Sequence, residues 1–180
     1  MKELAHRGSL LGVTLVELLV VIAVILVLAV IAVPSAQGWI ARSQSAACLL
    51  NLRQIGTALQ LYLADHENRM PVMAAIRLSK DTPDPAMDTV LLPYAGNDPR
   101  LFVCPSDTRL AKVSGTSYHW NNALNGQNLN DLNFMGVFRE KTRIPVIADK
   151  EGWHNHSENK VNFLYADGHA TKEFSLFTLP

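Results

Sequence analysis

Residues 13–33 are apolar at every position except Thr14 and Glu17, and the stretch from Leu18 to Val33 is unbroken. A helix made of such residues has no polar face to turn toward water, so it must lie in lipid or among other apolar helices. Twenty-one helical residues rise about 31 Å, the thickness of a bilayer core. Lys2, His6 and Arg7 precede the run, and no charged residue follows it until Arg42. That asymmetry predicts a single-pass helix with its N-terminus in the cytoplasm and the rest of the chain across the membrane.

Glu17 needs a separate reason, because a carboxylate near the centre of a membrane helix costs on the order of 3 kcal/mol. Its place one turn into the run lowers that cost. A secretory signal would have a shorter apolar core and a small-x-small cleavage site. Here the site before Gln37 sets Pro34 at the outer small position. A plain anchor fits the length and leaves Glu17 unexplained.

Gly12-Val13-Thr14-Leu15-Val16-Glu17, followed by Leu-Leu-Val-Val-Ile-Ala, resembles the processing site of type IV prepilins and type II secretion pseudopilins. The resemblance implies cleavage after Gly12 by a prepilin peptidase, with Val13 as the N-methylated first residue; Val13 stands where that family usually has Phe. Pro34, the twenty-second residue after the cut, matches the family's helix-kinking proline. Cleavage would free an α-amino group at Val13, cationic at neutral pH. In a staggered stack of such helices the Glu17 carboxylate of one subunit can meet that amine on its neighbour. The pair would offset two desolvation costs and set the register.

Beyond the run, Trp39 is placed as an interfacial aromatic. Pro34 removes one backbone donor and should bend or locally melt the helix rather than end it. Ala41, Cys48, Leu52, Ile55, Leu59 and Tyr62 recur at three- and four-residue spacing, one helical stripe ending near Ala64. Gly38 and Gly56 each weaken that helix by about 1 kcal/mol relative to Ala. Asp65 to Pro71 closes it. Residues 72–118 read as irregular, with a short helix expected around Met87–Tyr94. Arg143–Ala148 and Val161–Ala166 read as strands, and Asp167-Gly168 as a two-residue hairpin turn into Ala170–Phe174.

These segments extend the resemblance. Cys48-Leu-Leu-Asn-Leu-Arg-Gln-Ile-Gly-Thr-Ala-Leu with Tyr62 and Pro71, then Phe102-Val-Cys-Pro-Ser-Asp, are similar to a bacterial pseudopilin-like group. So is the closing His156…Phe163-Leu-Tyr-Ala-Asp167-Gly168-His169, although ten residues separate His156 from Asp167 where that group has nine.

The expected architecture is therefore a pilin-like α+β fold, a long N-terminal helix packed on a small C-terminal antiparallel sheet. It divides into a leader (1–12), a transmembrane and assembly helix (13–34), its amphipathic continuation (35–66) and a periplasmic head with a C-terminal hairpin (67–180). The expected role is structural: a subunit resting in the bacterial inner membrane, then built into a secretion pseudopilus or related filament. Its partners would be the prepilin peptidase, other pilin-like subunits, the inner-membrane assembly platform and lipid. Sixteen basic and sixteen acidic residues balance, fourteen of each remaining beyond residue 34, so nothing steers the chain to nucleic acid.

Asp149, Glu151, His154, His156, Asp167 and His169 lie close together in sequence and could form a zinc or calcium site; the type II pseudopilin family's occasional calcium favours the latter. The plainer reading is an unliganded Asp-Gly turn flanked by solvated histidines. No His-Glu-x-x-His, EF-hand spacing, phosphate loop or nucleophile elbow is present. A membrane-tethered metal-binding or enzymatic domain using the prepilin export route is the alternative function. Cys48 and Cys104 either form a disulfide on the oxidising side of the membrane or sit as small buried thiols.

Overall fold

The structure, a computed structural model, describes residues 13–154, 160–172 and 174. It has one long N-terminal helix and a small antiparallel sheet, an α+β arrangement. The leader 1–12, with Gly12, and His156 lie outside the described residues.

Helix α1 runs Leu15–Asp65, 51 residues, and its helical backbone continues through Pro34. The chain divides into two compact units, Met1–Trp39 and Ile40–Pro180. The first carries the one described helix segment long and apolar enough to cross a membrane, and none of its most apolar window is buried. The second begins within α1 rather than at residue 67. The reason is the stripe: Cys48, Leu52, Ile55 and Leu59 are buried in the same core as the sheet, and Tyr62 packs against it. Helix and head are one folding unit from residue 40 onward.

The sheet has four strands in chain order, all antiparallel: β1 Tyr118–Trp120, β2 Pro145–Asp149, β3 Phe163–Tyr165 and β4 Ala170–Thr171. Strand side chains alternate between faces. One row, Trp120, Ile147, Leu164 and Ala170, is in register and buried. The next row, His119, Ala148, Phe163 and Thr171, is only half-buried. A register shift between Pro145 and Ile147 lets both Val146 and Ile147 be buried.

Several expectations are corrected in detail. Strand β1 falls at the edge of the stretch read as irregular. The helix expected around Met87–Tyr94 is divided into α2, Met87–Val90, and a 3-10 turn at Pro93–Ala95, because Pro93 has no N–H to continue the ladder. A further short helix, α3, spans Leu110–Ser114. The hairpin loop has three residues, not two. Tyr165 N–H donates to His169 O and Gly168 N–H to Tyr165 O, with Gly168 at φ 93°. This is the three-residue loop whose last position needs a left-handed residue.

Gly56 has a packing reason. A Cβ there would stand 2.9 Å from Leu164 Cδ1 and 3.7 Å from Gly168 O, so the sheet rests on the helix where the side chain is missing. Gly56→Ala should therefore gain nothing from helix propensity. Overpacking costs about 1–3 kcal/mol against about 1 kcal/mol of propensity. The expected outcome is an unchanged or lower urea midpoint for the head.

Candidate functional site

At the start of α1, Thr14 and Glu17 satisfy each other. Glu17 Oε2 accepts from Thr14 N–H at 2.8 Å and from Thr14 Oγ1 at 2.8 Å, and Glu17 N–H donates to Thr14 Oγ1 at 3.3 Å. This is a reciprocal capping box, in which the first-turn donors of a helix are met by side chains three residues apart. The pattern Thr-x-x-Glu ahead of an apolar run is the signal that announces it. The expectation for Glu17 is an intermolecular partner alone; the local partner, Thr14, is an addition to it. All three bonds run through Oε2 or Thr14 Oγ1, so Oε1 takes no part in the cap. Val13 is exposed beside it.

The five described candidate metal-ligating residues, all but His156, separate into different settings. The register Tyr118↔Asp149 sets Asp149 on the core face of β2, one step beyond Ile147. A buried carboxylate is tolerated only when it is met by donors. Asp149 Oδ2 accepts from Asn162 N–H at 2.7 Å and Asn162 Nδ2 at 2.8 Å, and lies 3.1 Å from His154 Nε2. The side chains of Asp149 and His154 are 0% and 1% exposed. Asp149 Oδ1 and Asn162 Oδ1 are buried outside these bonds.

Glu151 instead faces solvent and pairs with Arg109 at 3.2 Å, an exposed ion pair of little energetic weight. Asp167 is the central residue of the hairpin loop and His169 the residue that closes it: Asp167 Oδ1 lies 2.6 Å from His169 Nδ1, and the His169 ring stacks on Tyr165. Among the described residues, the grouping able to offer three ligand atoms to one ion is a different one: Cys48, Cys104 and His154. The calcium set of Asp149, Glu151 and Asp167 is not brought together.

Cys48 and Cys104 form a disulfide with Cα atoms 4.9 Å apart, and both residues are fully buried. The bridge joins α1 to the chain just after the 3-10 turn Pro99–Phe102. Beside it Asn51 Nδ2 donates to Val103 O at 3.0 Å, and Cys104 N–H to Ser117 Oγ at 2.9 Å. Of the two readings left open by the sequence, the structure has the bridge.

The described residues offer little acid–base chemistry elsewhere. A groove of about 230 Å³ on the half-buried side of the sheet is lined by His119, Phe134, Pro145, Ala148 and Phe163 among others, and its walls are apolar. Burial, and then the nearby Lys150 cation, hold the His119 pKa below its ordinary value. Lys150 Nζ donates to Ser114 Oγ at 2.7 Å and Thr116 O at 2.5 Å. Burial lowers its pKa to about 8, against the opposing attraction of Asp107 and Asp88.

The sign of the Lys150 effect is fixed by comparison with the unfolded chain, where a lysine titrates near 10.4. Between pH 8 and 10 the unfolded chain holds a proton that the folded one has released, so stability from this group rises with pH. Lys150 is half-buried, and allowing for solvent screening the gain is about 1 kcal/mol. Tyr118, its pKa raised by burial, acts oppositely and only above pH 10. The urea midpoint of the head is expected to climb from pH 7.5 to 9.5, with a shallower climb in Lys150→Met.

Comparison of the chain with protein-family models, with curated proteins and with solved structures finds no match.

Proposed function

We propose that this chain is a pilin-like structural subunit, processed after Gly12 and assembled through helix residues 13–33 into a secretion pseudopilus or a related filament. The observation that carries the reading is the bare first unit. Residues 13–33 are exposed along the whole run, and the one charged residue among them, Glu17, is near its N-terminal end. Lipid is one cover for such a surface; identical helices packed side by side are another, and a filament subunit uses each in turn. The likeness of residues 12–23 to a prepilin processing site supplies the route between the two states.

In the membrane-resident form Glu17 is engaged by Thr14 through one oxygen. Cleavage creates a cation at Val13, four residues before Glu17, and leaves Glu17 Oε1 to receive the equivalent cation of a neighbouring subunit. The head, with its disulfide and sheet, sits on the periplasmic side and is carried as the filament's outer surface. Mass spectrometry of the chain recovered from cells with an active prepilin peptidase tests the first step. The expected N-terminus is Val13, 14 Da heavier when N-methylated, and absent from cells lacking the peptidase. Recovery of the full-length chain alone, with the peptidase active, would overturn the proposal.

A further inference from the structure

The side chains of Asp149 and His154 are buried, and a ring nitrogen of His154 lies within 4.8 Å of both disulfide sulfurs. A carboxylate and an imidazole withdrawn from water are costly, and a disulfide gives them no charge to answer. The same residues make chemical sense when the two sulfurs are thiolates. Cys48 Sγ, Cys104 Sγ and a ring nitrogen of His154 all lie within 4.8 Å of one another. In a tetrahedral zinc site, with Zn–S about 2.3 Å and Zn–N about 2.0–2.1 Å, such ligand atoms stand about 3.5–3.8 Å apart. The bonded sulfurs would have to part by about 1.7 Å and the imidazole to approach by up to about 1.3 Å, movements that call for new rotamers of the two cysteines and His154. Asp149 Oδ2 lies 3.1 Å from His154 Nε2 and is itself fixed by two donors from Asn162. A carboxylate gripping one imidazole nitrogen is the arrangement that orients a metal-ligating histidine through its other nitrogen.

We propose that in its dithiol form the chain binds one zinc ion through Cys48, Cys104 and His154, with Asp149 as the positioning residue for the imidazole and water as the fourth ligand. The newly made chain carries both sulfurs as thiols, so this form needs no reductant. Binding converts two thiols to zinc thiolates and releases two protons; no electrons move. Metal and disulfide are mutually exclusive, because the same sulfur electron pairs form either the S–S bond or the two Zn–S bonds. The ion would tie α1 to the chain after Phe102, as the bridge does later, and would shield both thiols from mispairing until an oxidising disulfide partner reaches them.

The test uses the full chain in detergent micelles, reduced with a phosphine, freed of reductant and kept anaerobic. Titration with Co2+, the spectroscopic stand-in for zinc, is expected to give one equivalent bound with thiolate-to-cobalt charge-transfer absorption, displaced by Zn2+. The oxidised chain and the Cys48→Ser/Cys104→Ser variant should give none. Asp149→Asn should weaken Co2+ binding about 10–100-fold while the thiolate absorption persists at saturation, the mark of a positioning residue. His154→Ala should weaken it at least as much and alter the visible spectrum. A readout free of any variant is alkylation of the two thiols, which one equivalent of Zn2+ should slow at least tenfold at both sites. The proposal is overturned if reduced wild-type chain binds no more Co2+ than the double serine variant. It is equally overturned if Zn2+ leaves alkylation of both thiols unchanged, or if folded His154→Ala retains wild-type affinity and spectrum.

Discussion

Glu17→Gln is expected to leave the start of α1 intact and to remove the chain from filaments. The two possible duties of Glu17 call for different atoms. The cap needs an acceptor oxygen three residues after Thr14, and a glutamine amide provides one, since Glu and Gln both serve at that position. Pairing with a neighbour's Val13 amine needs the negative charge, which Gln lacks. Glu17→Ala removes both. Losing a cap costs about 0.5–2 kcal/mol. Removing one partner of a desolvated ion pair costs about 3–5 kcal/mol, because the other charge is left uncompensated. At 1.4 kcal/mol per tenfold, that second loss is about a hundredfold or more in incorporation. The measurement is the filament-associated fraction of each variant at matched membrane abundance. Equal and severe loss in both variants is the expected result. Wild-type incorporation of Glu17→Gln with failure of Glu17→Ala would make the capping box the whole of Glu17's role.

That experiment is sharpened by a signal that lay in plain view. Thr14-x-x-Glu17 reads as a helix start on spacing alone, yet Glu17 stands out first as a charge in a membrane-length run, and the costlier feature takes the attention. The buried stripe from Cys48 to Leu59 was legible for a different reason: helical periodicity survives whatever packs against it. Strand β1 was not, because three residues, Tyr118–Trp120, carry almost no periodicity and gain their strand character from pairing with β2. Asp149 was singled out as a ligand, and the sequence read its surroundings as a polar loop. Its burial follows from the register with Tyr118, a long-range pairing that no local pattern encodes. The nearness of His154 to Cys48 and Cys104 depends on that same register, so Asp149 and His154 could be named in advance while their sulfur neighbours could not. Asp167 and His169 were placed correctly at the hairpin because Asp-Gly chemistry is local. The loop's extra residue depends on where β3 and β4 begin to pair.

Reducing the Cys48–Cys104 bridge in metal-free buffer is expected to lower the urea midpoint of the head by about 2 M. The bridge spans a sequence separation of 56 residues, for which the chain-entropy estimate is about 4 kcal/mol. A domain of this size holds about 5–15 kcal/mol in all, so the loss is a large share of it. A urea slope of about 2 kcal/mol/M converts it to the stated shift. Oxidised and reduced forms of the same chain are the proper comparison, since Cys→Ala variants would remove two buried sulfur atoms as well as the bond between them. The folded state should change little on reduction: Asn51 still donates to Val103 O, Cys104 N–H to Ser117 Oγ, and the stripe of α1 remains buried. The effect then lies in the unfolded chain, which becomes more expanded when the loop is opened, so the slope itself should rise along with the fall in midpoint. A shift below about 0.5 M with an unchanged slope would mean that the bridge constrains little in the unfolded ensemble. Adding one equivalent of zinc to the reduced form before unfolding should restore part of the lost midpoint, because an ion bound by the folded chain alone stabilises it by mass action. That restoration should be smaller in Asp149→Asn at the same zinc concentration, by the stabilisation that an affinity loss of about 10–100-fold removes, whereas zinc bound by the two thiolates alone would restore both forms equally.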